Sequence, residues 1–275
     1  MLLTYKKGVL YLKSSLKNQY VVITGASGGL GEHLAYEVAK RGGVPVLLAR
    51  TEEKLHRVAE QISQKYGITS YIYKADVANV EEVKRVVQKM MSEIKRVDVL
   101  INNAGFGVFE EVKEASIKTI ASMFQVNVIG LIACTQEILA YMLKENKGHI
   151  INIASQAGKL ATPKSSGYSA SKHAVLGFTN SLRMELAKTD IYVTAVNPGP
   201  IQTNFFSIAD QSGNYEKSVE KFMLTPQYVA EKTVNIIGKP KREVNLPKWM
   251  NIGSKMYQLA PGLVEKLAGD AFKRK

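Results

Sequence analysis

The sequence predicts an α/β protein, a doubly wound parallel sheet of seven strands flanked by helices on both faces. Three observations lead there. From about residue 18 onward, short runs rich in β-branched residues alternate with longer segments whose apolar residues recur at helical spacing, the pattern of strands joined by crossover helices. Glycines, asparagines and hydroxyl residues gather just after the strand-like runs, where sites in such sheets lie. No internal repeat, low-complexity stretch or Pro/Gly-rich linker interrupts the chain, so a single doubly wound domain makes up its body.

The first run, YVVIT, leads at once into a glycine-rich turn and the helical segment GEHLAYEVAKRGG. VPVLLAR is the second strand, and TEEKLHRVAEQISQKYG follows it with apolar residues at helical spacing. TSYIYKADV is the third, EEVKRVVQKMMSEI the next helix, and VDVLINNAG the fourth strand. A long helix then runs through Asn127. GHIINIAS, a helix beginning near Tyr168, IYVTAVNPG and REVNLP complete the order.

With 275 residues, 45% hydrophobic and 22% charged, the chain is long enough for a large core and too apolar to be disordered. Cys134, the single cysteine, lies in the apolar run VIGLIACTQEIL and reads as a small buried hydrophobe of a reducing compartment. One cysteine and four scattered histidines offer no metal-ligand spacing, so no metal is expected. The formal charge is +13, but +4 of it lies in residues 1–20 and +6 in 239–275, which leaves +3 for the body. So balanced a body, without aromatics along a basic groove, excludes a nucleic-acid partner. No run reaches the roughly 18 to 20 consecutive apolar residues of a membrane span. The lysine-broken start MLLTYKKGVLYLKSSLKNQ lacks a signal cleavage site, and a cytoplasmic protein is expected.

The turn TGASGGLG, Thr24–Gly31, stands between a strand and a helix. Gly25, Gly29 and Gly31 leave room for a tight bend, an approaching phosphate and close helix packing, while the helix N-terminus attracts the anion. Its spacing is G-x-x-x-G-x-G rather than G-x-G-x-x-G, and the context favours a dinucleotide. At the end of the second strand, Ala49 and Arg50 occupy the place where an acid would hold the adenosine ribose. A neutral residue followed by a permanent cation favours NADP over NAD, unless Arg50 is taken up by Glu52 or Glu53. In GYSASKHAVLGF, Tyr168 and Lys172 are four residues apart on one helical face, so a phenol and an ammonium share a space. Alone, that pair is more simply a surface tyrosine and a solvated lysine.

Taken with Asp76 in ADV, NNAG at Asn102–Gly105, Asn127 in QVNV, Ser155 in INIAS and the turn NPGPIQT, these pieces resemble the short-chain dehydrogenase/reductase family in its one-domain branch. The likeness runs in order from about residue 17 to about residue 206. It implies a Rossmann sheet and an oxidoreductase that interconverts a carbonyl and a secondary alcohol, with NADP(H) as cofactor and NAD(H) as the lesser choice. It implies Tyr168 as acid/base. A free phenol has a pKa of about 10, which the Lys172 ammonium would lower. The lysine would also hold the nicotinamide ribose, Ser155 would donate to the carbonyl oxygen, and Asn127 would hold a water joining the lysine to solvent. The implied cofactor contacts are Gly25, Ser27, Gly29, Leu30 and Gly31 in the turn, Arg50 and Thr51 near a 2′-phosphate, and Asp76 and Val77 at the adenine. Asn103, Ala104 and Gly105 would line the path, Tyr168 and Lys172 would stand beside the ribose, and Pro198, Gly199, Ile201 and Thr203 would cover the nicotinamide amide. Asn102 and Gly105 read equally well as braces between strands. Gly28 departs from the pattern, because many NADP-using relatives carry a basic or hydroxyl residue there; the 2′-phosphate is then left mainly to Arg50, with Ser27 and Thr51 as helpers.

Residues 17–238 are expected to form the dinucleotide-binding and catalytic domain. Within it, Thr203–Pro226 falls where the family keeps a mobile lid, and Phe205, Phe206, Phe222 and Met223 either clothe a pocket for an apolar carbonyl compound or make the lid's own core. Residues 239–275 hold the last strand and a basic amphipathic extension with Trp249, Met250, Met256, Tyr257, Leu259, Leu263 and Leu267 among lysines. That extension packs on its own domain, reaches a partner subunit or lies on an anionic membrane surface. Residues 1–16 form a basic N-terminal extension in which Tyr5, Val9, Leu12 and Leu16 fall on one helical stripe. The expected partners are a small apolar carbonyl or alcohol and further copies of the chain in a homodimer or homotetramer, with peripheral membrane contact through the basic termini as a variant. A dinucleotide-binding sensor or membrane-associated scaffold without turnover is the alternative function. Intact Ser155, Tyr168 and Lys172 speak against it.

Overall fold

The computed structural model describes residues 3–6, 9–12, 15–210 and 213–266. Its first two strands, β1 (Leu3–Lys6) and β2 (Val9–Leu12), pair antiparallel in a small sheet of their own. The helical stripe suggested for this end is therefore not formed: Thr4, Tyr5, Val9 and Tyr11 are strand formers, and that preference prevails over the apolar spacing. Leu16, the last residue of that stripe, is buried in the main core. Leu267 lies outside the described residues.

Strands and helices then alternate: β3 (Tyr20–Thr24), α1 (Gly29–Ala39), β4 (Val44–Ala49), α2 (Glu52–Tyr66), β5 (Tyr71–Lys74), α3 (Val80–Ile94) and β6 (Val99–Asn102). Next, α4 (Ile117–Phe124) passes through a wide π-helical turn at Gln125–Gly130 into α5 (Leu131–Glu145), followed by β7 (Lys147–Ile153), α6 (Ser166–Glu185) and β8 (Asp190–Pro198). The short α7 (Phe206–Ala209) and α8 (Asn214–Val219) precede α9 (Pro226–Val234), β9 (Glu243–Leu246) and α10 (Lys248–Leu259). Seven parallel strands in the order β5-β4-β3-β6-β7-β8-β9 make the main sheet. The order reverses between β3 and β6, and a crevice opens at the carboxyl ends beside that switch point.

The strands are apolar on both faces because both faces are covered. On β3, Val21 and Ile23 join one core cluster with Leu34 of α1, Leu55 of α2 and Val229 of α9. Val22 joins the opposite cluster with Val87 of α3, Ile138 of α5 and Leu182 of α6. Helix ends follow local chemistry. The Asn79 side chain accepts the Glu82 N–H at the start of α3, and Gly67 ends α2 in the left-handed region with φ 65°. Residues 117–145 form the one helix among the described residues that is long and apolar enough, by length and composition, to cross a membrane. Polar interruptions hide it from a count of consecutive apolar residues. Half of its most apolar window is buried, as a core helix packed on α3 and the sheet requires. Cys134, on its buried side, has its thiol pushed up to about 12 by burial and is an inert hydrophobe.

His149 on β7 is buried among polar partners. Its Nδ1 accepts the Gly238 N–H at 3.2 Å, and its Nε2 lies 2.9 Å from Thr194 Oγ1, which donates to the Lys241 carbonyl. Burial pushes its pKa down to about 4. The unfolded chain, with a histidine pKa of about 6.5, takes up the proton first, so stability falls as pH drops through that window, by up to about 3 kcal/mol at its lower end. Urea unfolding measured from neutral pH to about pH 4.5 is expected to show that loss, and His149→Gln to flatten this part of the profile.

Candidate active site

The glycine turn after β3 is held by the loop after β6. Thr24 Oγ1 accepts the N–H groups of Asn103 at 3.0 Å and Ala104 at 2.9 Å, and Asn103 Nδ2 donates to the Thr24 carbonyl at 2.9 Å. Gly25 and Gly29 take φ of +67° and +56°, which side chains rarely adopt. At Gly31 a Cβ would lie 2.1 Å from the Gly25 carbonyl oxygen. The turn therefore closes tightly on the N-terminus of α1. Gly25, Ser27, Gly29, Leu30 and the Asn103–Gly105 backbone line one end of a cleft of about 1590 Å³, with Gly31 buried beneath. That exceeds the roughly 300–1,000 Å³ usual for one small ligand, so a dinucleotide and a substrate fit together. Pro198, Gly199, Ile201 and Thr203 form the facing wall. A Cβ at Gly29 would come within 3.5 Å of Thr203 Cβ, so the two walls meet over the turn.

Just past β4, which pairs with β3 beside the glycine turn, Arg50 and Thr51 are exposed and do not line the cleft. Among the described residues Arg50 makes no ion pair with Glu52 or Glu53. Lys54, which sequence reasoning passed over, does line the cleft; its signal was the four-residue spacing from Arg50 in RTEEK. Asp76 and Val77 stand apart from the lining. Asp76 Oδ1 accepts the Ala78 N–H at 3.0 Å in the turn toward α3, and Val77 is buried under Gly130.

Ser155, just past β7, and the first turns of α6 meet at the middle of the cleft. Tyr168 and Lys172 share a face, with Nζ 5.8 Å from the phenol ring centroid. Nζ donates to the Ile153 carbonyl at 2.9 Å. Ser155 accepts the Ala157 N–H at 3.0 Å and is near enough to the Tyr168 phenol to favour its ionised form. Asn127 is turned inward by the π-helical turn. It accepts the Phe106 N–H at 3.0 Å, donates to the Phe106 carbonyl at 2.9 Å, and donates to Ser171 Oγ at 3.1 Å. It is thus buried behind the cleft, pinning the loop after β6 to α6.

Residues 19–212 match the short chain dehydrogenase family. This chain belongs to that family. An uncharacterized oxidoreductase of Staphylococcus saprophyticus is 35% identical over 225 residues, 82% of this chain and 93% of that one. An NADP-dependent 3-hydroxy acid dehydrogenase of Schizosaccharomyces pombe is 33% identical, covering 79% of this chain and 86% of that one. A short chain dehydrogenase/reductase of Burkholderia phymatum, solved in complex with NAD, superposes with a TM-score of 0.83 at 24% identity, over 91% of this chain and 96% of that one, a likeness of fold.

Three features of this short-chain dehydrogenase differ from, or add to, what its sequence suggests. The lysine was expected to make the phenol acidic, yet burial pushes Tyr168 up to about 12, against the pull of Ser155. Lys172 is itself buried, which lowers it to about 8, and its ammonium faces a carbonyl rather than the phenol oxygen. Secondly, the aromatic residues of 203–226 serve both suggested roles. Phe206 is 3% exposed and belongs to the segment's own core, while Phe205 stands 5.7 Å from the Tyr168 ring and Phe109 joins both Tyr168 and Tyr215. Gly107 makes that approach possible, since a Cβ there would lie 2.9 Å from both Phe205 and Tyr168. Thirdly, Asn102 is a brace. Its Nδ2 donates to Thr135 and to Asn152 at 2.9 Å each inside the fold, whereas Gly105 faces the cleft.

Proposed function

We propose that this chain is an NADP(H)-dependent oxidoreductase that interconverts a carbonyl and a secondary alcohol, with Tyr168 as the acid/base. The observation that carries this reading is the meeting of Ser155, Tyr168 and Lys172 in one cleft that continues to the glycine turn of α1. When bound, the dinucleotide supplies or accepts the hydride. Gly25, Ser27, Gly29, Leu30 and Gly31 hold its phosphates against the helix N-terminus. Asn103, Ala104 and Gly105 line its path, Asp76 and Val77 flank the adenine end, and Pro198, Gly199, Ile201 and Thr203 cover the nicotinamide end. Ser155 orients the substrate oxygen, and Tyr168 gives that oxygen a proton in reduction and takes it back in oxidation. Lys172 holds the ribose and passes the proton on, and Asn127 keeps the loop after β6 fixed to the lysine's helix. The lid aromatics exclude water and favour an apolar substrate.

The NADP choice rests on Arg50, uncommitted to an acid, with Thr51 and Lys54 close by in the chain and Ser27 lining the same cleft as Lys54; the Schizosaccharomyces pombe relative is also named as NADP-dependent. Oxidation of NADPH and NADH against a panel of apolar ketones tests the reading. Arg50→Glu is expected to raise KM for NADPH about 10- to 100-fold, the worth of one or two charge-assisted hydrogen bonds, and to leave that for NADH within about threefold. Absence of nucleotide binding by calorimetry would sink the proposal.

A further inference from the structure

Helix α10 has two faces of unlike chemistry. Its inner face walls the cleft: Ser254 is 2% exposed, and Met250 packs so closely on Gly199 that a Cβ there would lie 2.8 Å from the Met250 sulfur. Its outer face carries Trp249, Ile252, Met256 and Leu259, spaced i, i+3, i+7 and i+10 and between 52% and 88% exposed. The ring of Phe222 in the 203–226 segment, also exposed, stands 5.8 Å from that of Trp249. A continuous apolar surface of this kind marks an interaction site. Exposed Lys248 and Lys255 project along one edge of the stripe, and α10 contains no acid. The lid's Lys217 and Lys221 are offset by Glu216 and Glu220, so the positive charge belongs to the C-terminal region, +6 over residues 239–275.

An apolar stripe edged by lysines is the make-up of a helix that lies in the plane of an anionic bilayer. We propose that the outer face of α10, with Phe222, docks the mouth of the cleft on an anionic lipid surface, so that an apolar carbonyl compound enters from the lipid between Phe222 and Trp249. Both residues line the cleft. The substrate half rests on the oxidoreductase reading. The docking half does not, and its test needs no turnover.

Trp249 is the chain's one tryptophan, so its emission reports on this face alone. Vesicles of equal parts phosphatidylglycerol and phosphatidylcholine are expected to shift that emission to the blue and to sediment the full chain, less so as salt is raised, while pure phosphatidylcholine does neither. Ile252→Asp/Met256→Asp is expected to lower partitioning at least about tenfold with an unchanged circular dichroism spectrum, and Lys248→Gln/Lys255→Gln to do the same. Wild-type chain that ignores the anionic vesicles, or binds both kinds alike, overturns the proposal. So does a lipid-free dimer that splits in Ile252→Asp/Met256→Asp, which would assign the face to a second copy. Vesicle binding without carbonyl turnover would sink the oxidoreductase reading alone.

Discussion

Tyr168→Phe is expected to lower kcat about 100- to 10,000-fold, the share that a positioned general acid or base contributes, and to leave nucleotide affinity within about threefold. The substitution removes one oxygen and little else. The ring keeps its contacts with Phe109 and Phe205 at 5.8 and 5.7 Å, and Lys172 keeps its bond to the Ile153 carbonyl. The fold and the cleft should therefore persist while the proposed proton donor is gone. The direction of the pH effect follows from the same group. With burial holding the phenol up at about 12, it is protonated at neutral pH and ready to donate, so reduction is favoured there. Alcohol oxidation needs the phenolate, and its rate rises with pH. Steady-state kinetics in both directions and a calorimetric nucleotide titration check this. A variant that keeps within about tenfold of the parent rate would remove Tyr168 from the chemistry.

The inner strands of the sheet were legible because they are buried on both faces and so read as largely apolar runs, as in YVVIT and VPVLLA, while the edge strands β5 and β9 are only partly buried and were legible from their place in the alternation. The glycine turn and the Tyr168–Lys172 pair were legible because backbone conformation and helical spacing leave marks in local sequence. What could not be read depends on residues far apart in the chain. Thr24 clamps the Asn103 loop across 79 positions, yet a threonine at a strand end is ordinary. Gly107 matters only because Phe205 and Tyr168 arrive against it from two other segments. The Tyr168 pKa could not be inferred from the nearness of a lysine, since burial is the largest influence on both groups and the lysine is bound to the Ile153 carbonyl. At the N-terminus, apolar spacing suggested a helix where strand propensity decided the outcome.

Gly31→Ala is expected to weaken dinucleotide binding at least about 100-fold and to cost about 1–3 kcal/mol of stability, the usual range for overpacking. Two opposed effects meet at this position. Gly31 lies in α1, where alanine is a better helix former by up to about 1 kcal/mol. Against that, the new methyl carbon would lie 2.1 Å from the Gly25 oxygen and 2.8 Å from the Gly25 carbonyl carbon. These are backbone atoms of a turn tied down by Thr24 and Asn103, so they cannot swing aside as a flexible side chain would. The turn must open, and its amides then no longer converge on one anion. Gly28→Ala is the matched control. Gly28 has φ 175°, extended backbone open to any residue, and a Cβ there meets nothing within 4 Å, so stability should change by no more than about 0.5 kcal/mol. Urea unfolding and nucleotide titration of the two variants side by side decide the matter. If Gly31→Ala binds and unfolds like Gly28→Ala, close packing at this turn is not what shapes the phosphate site.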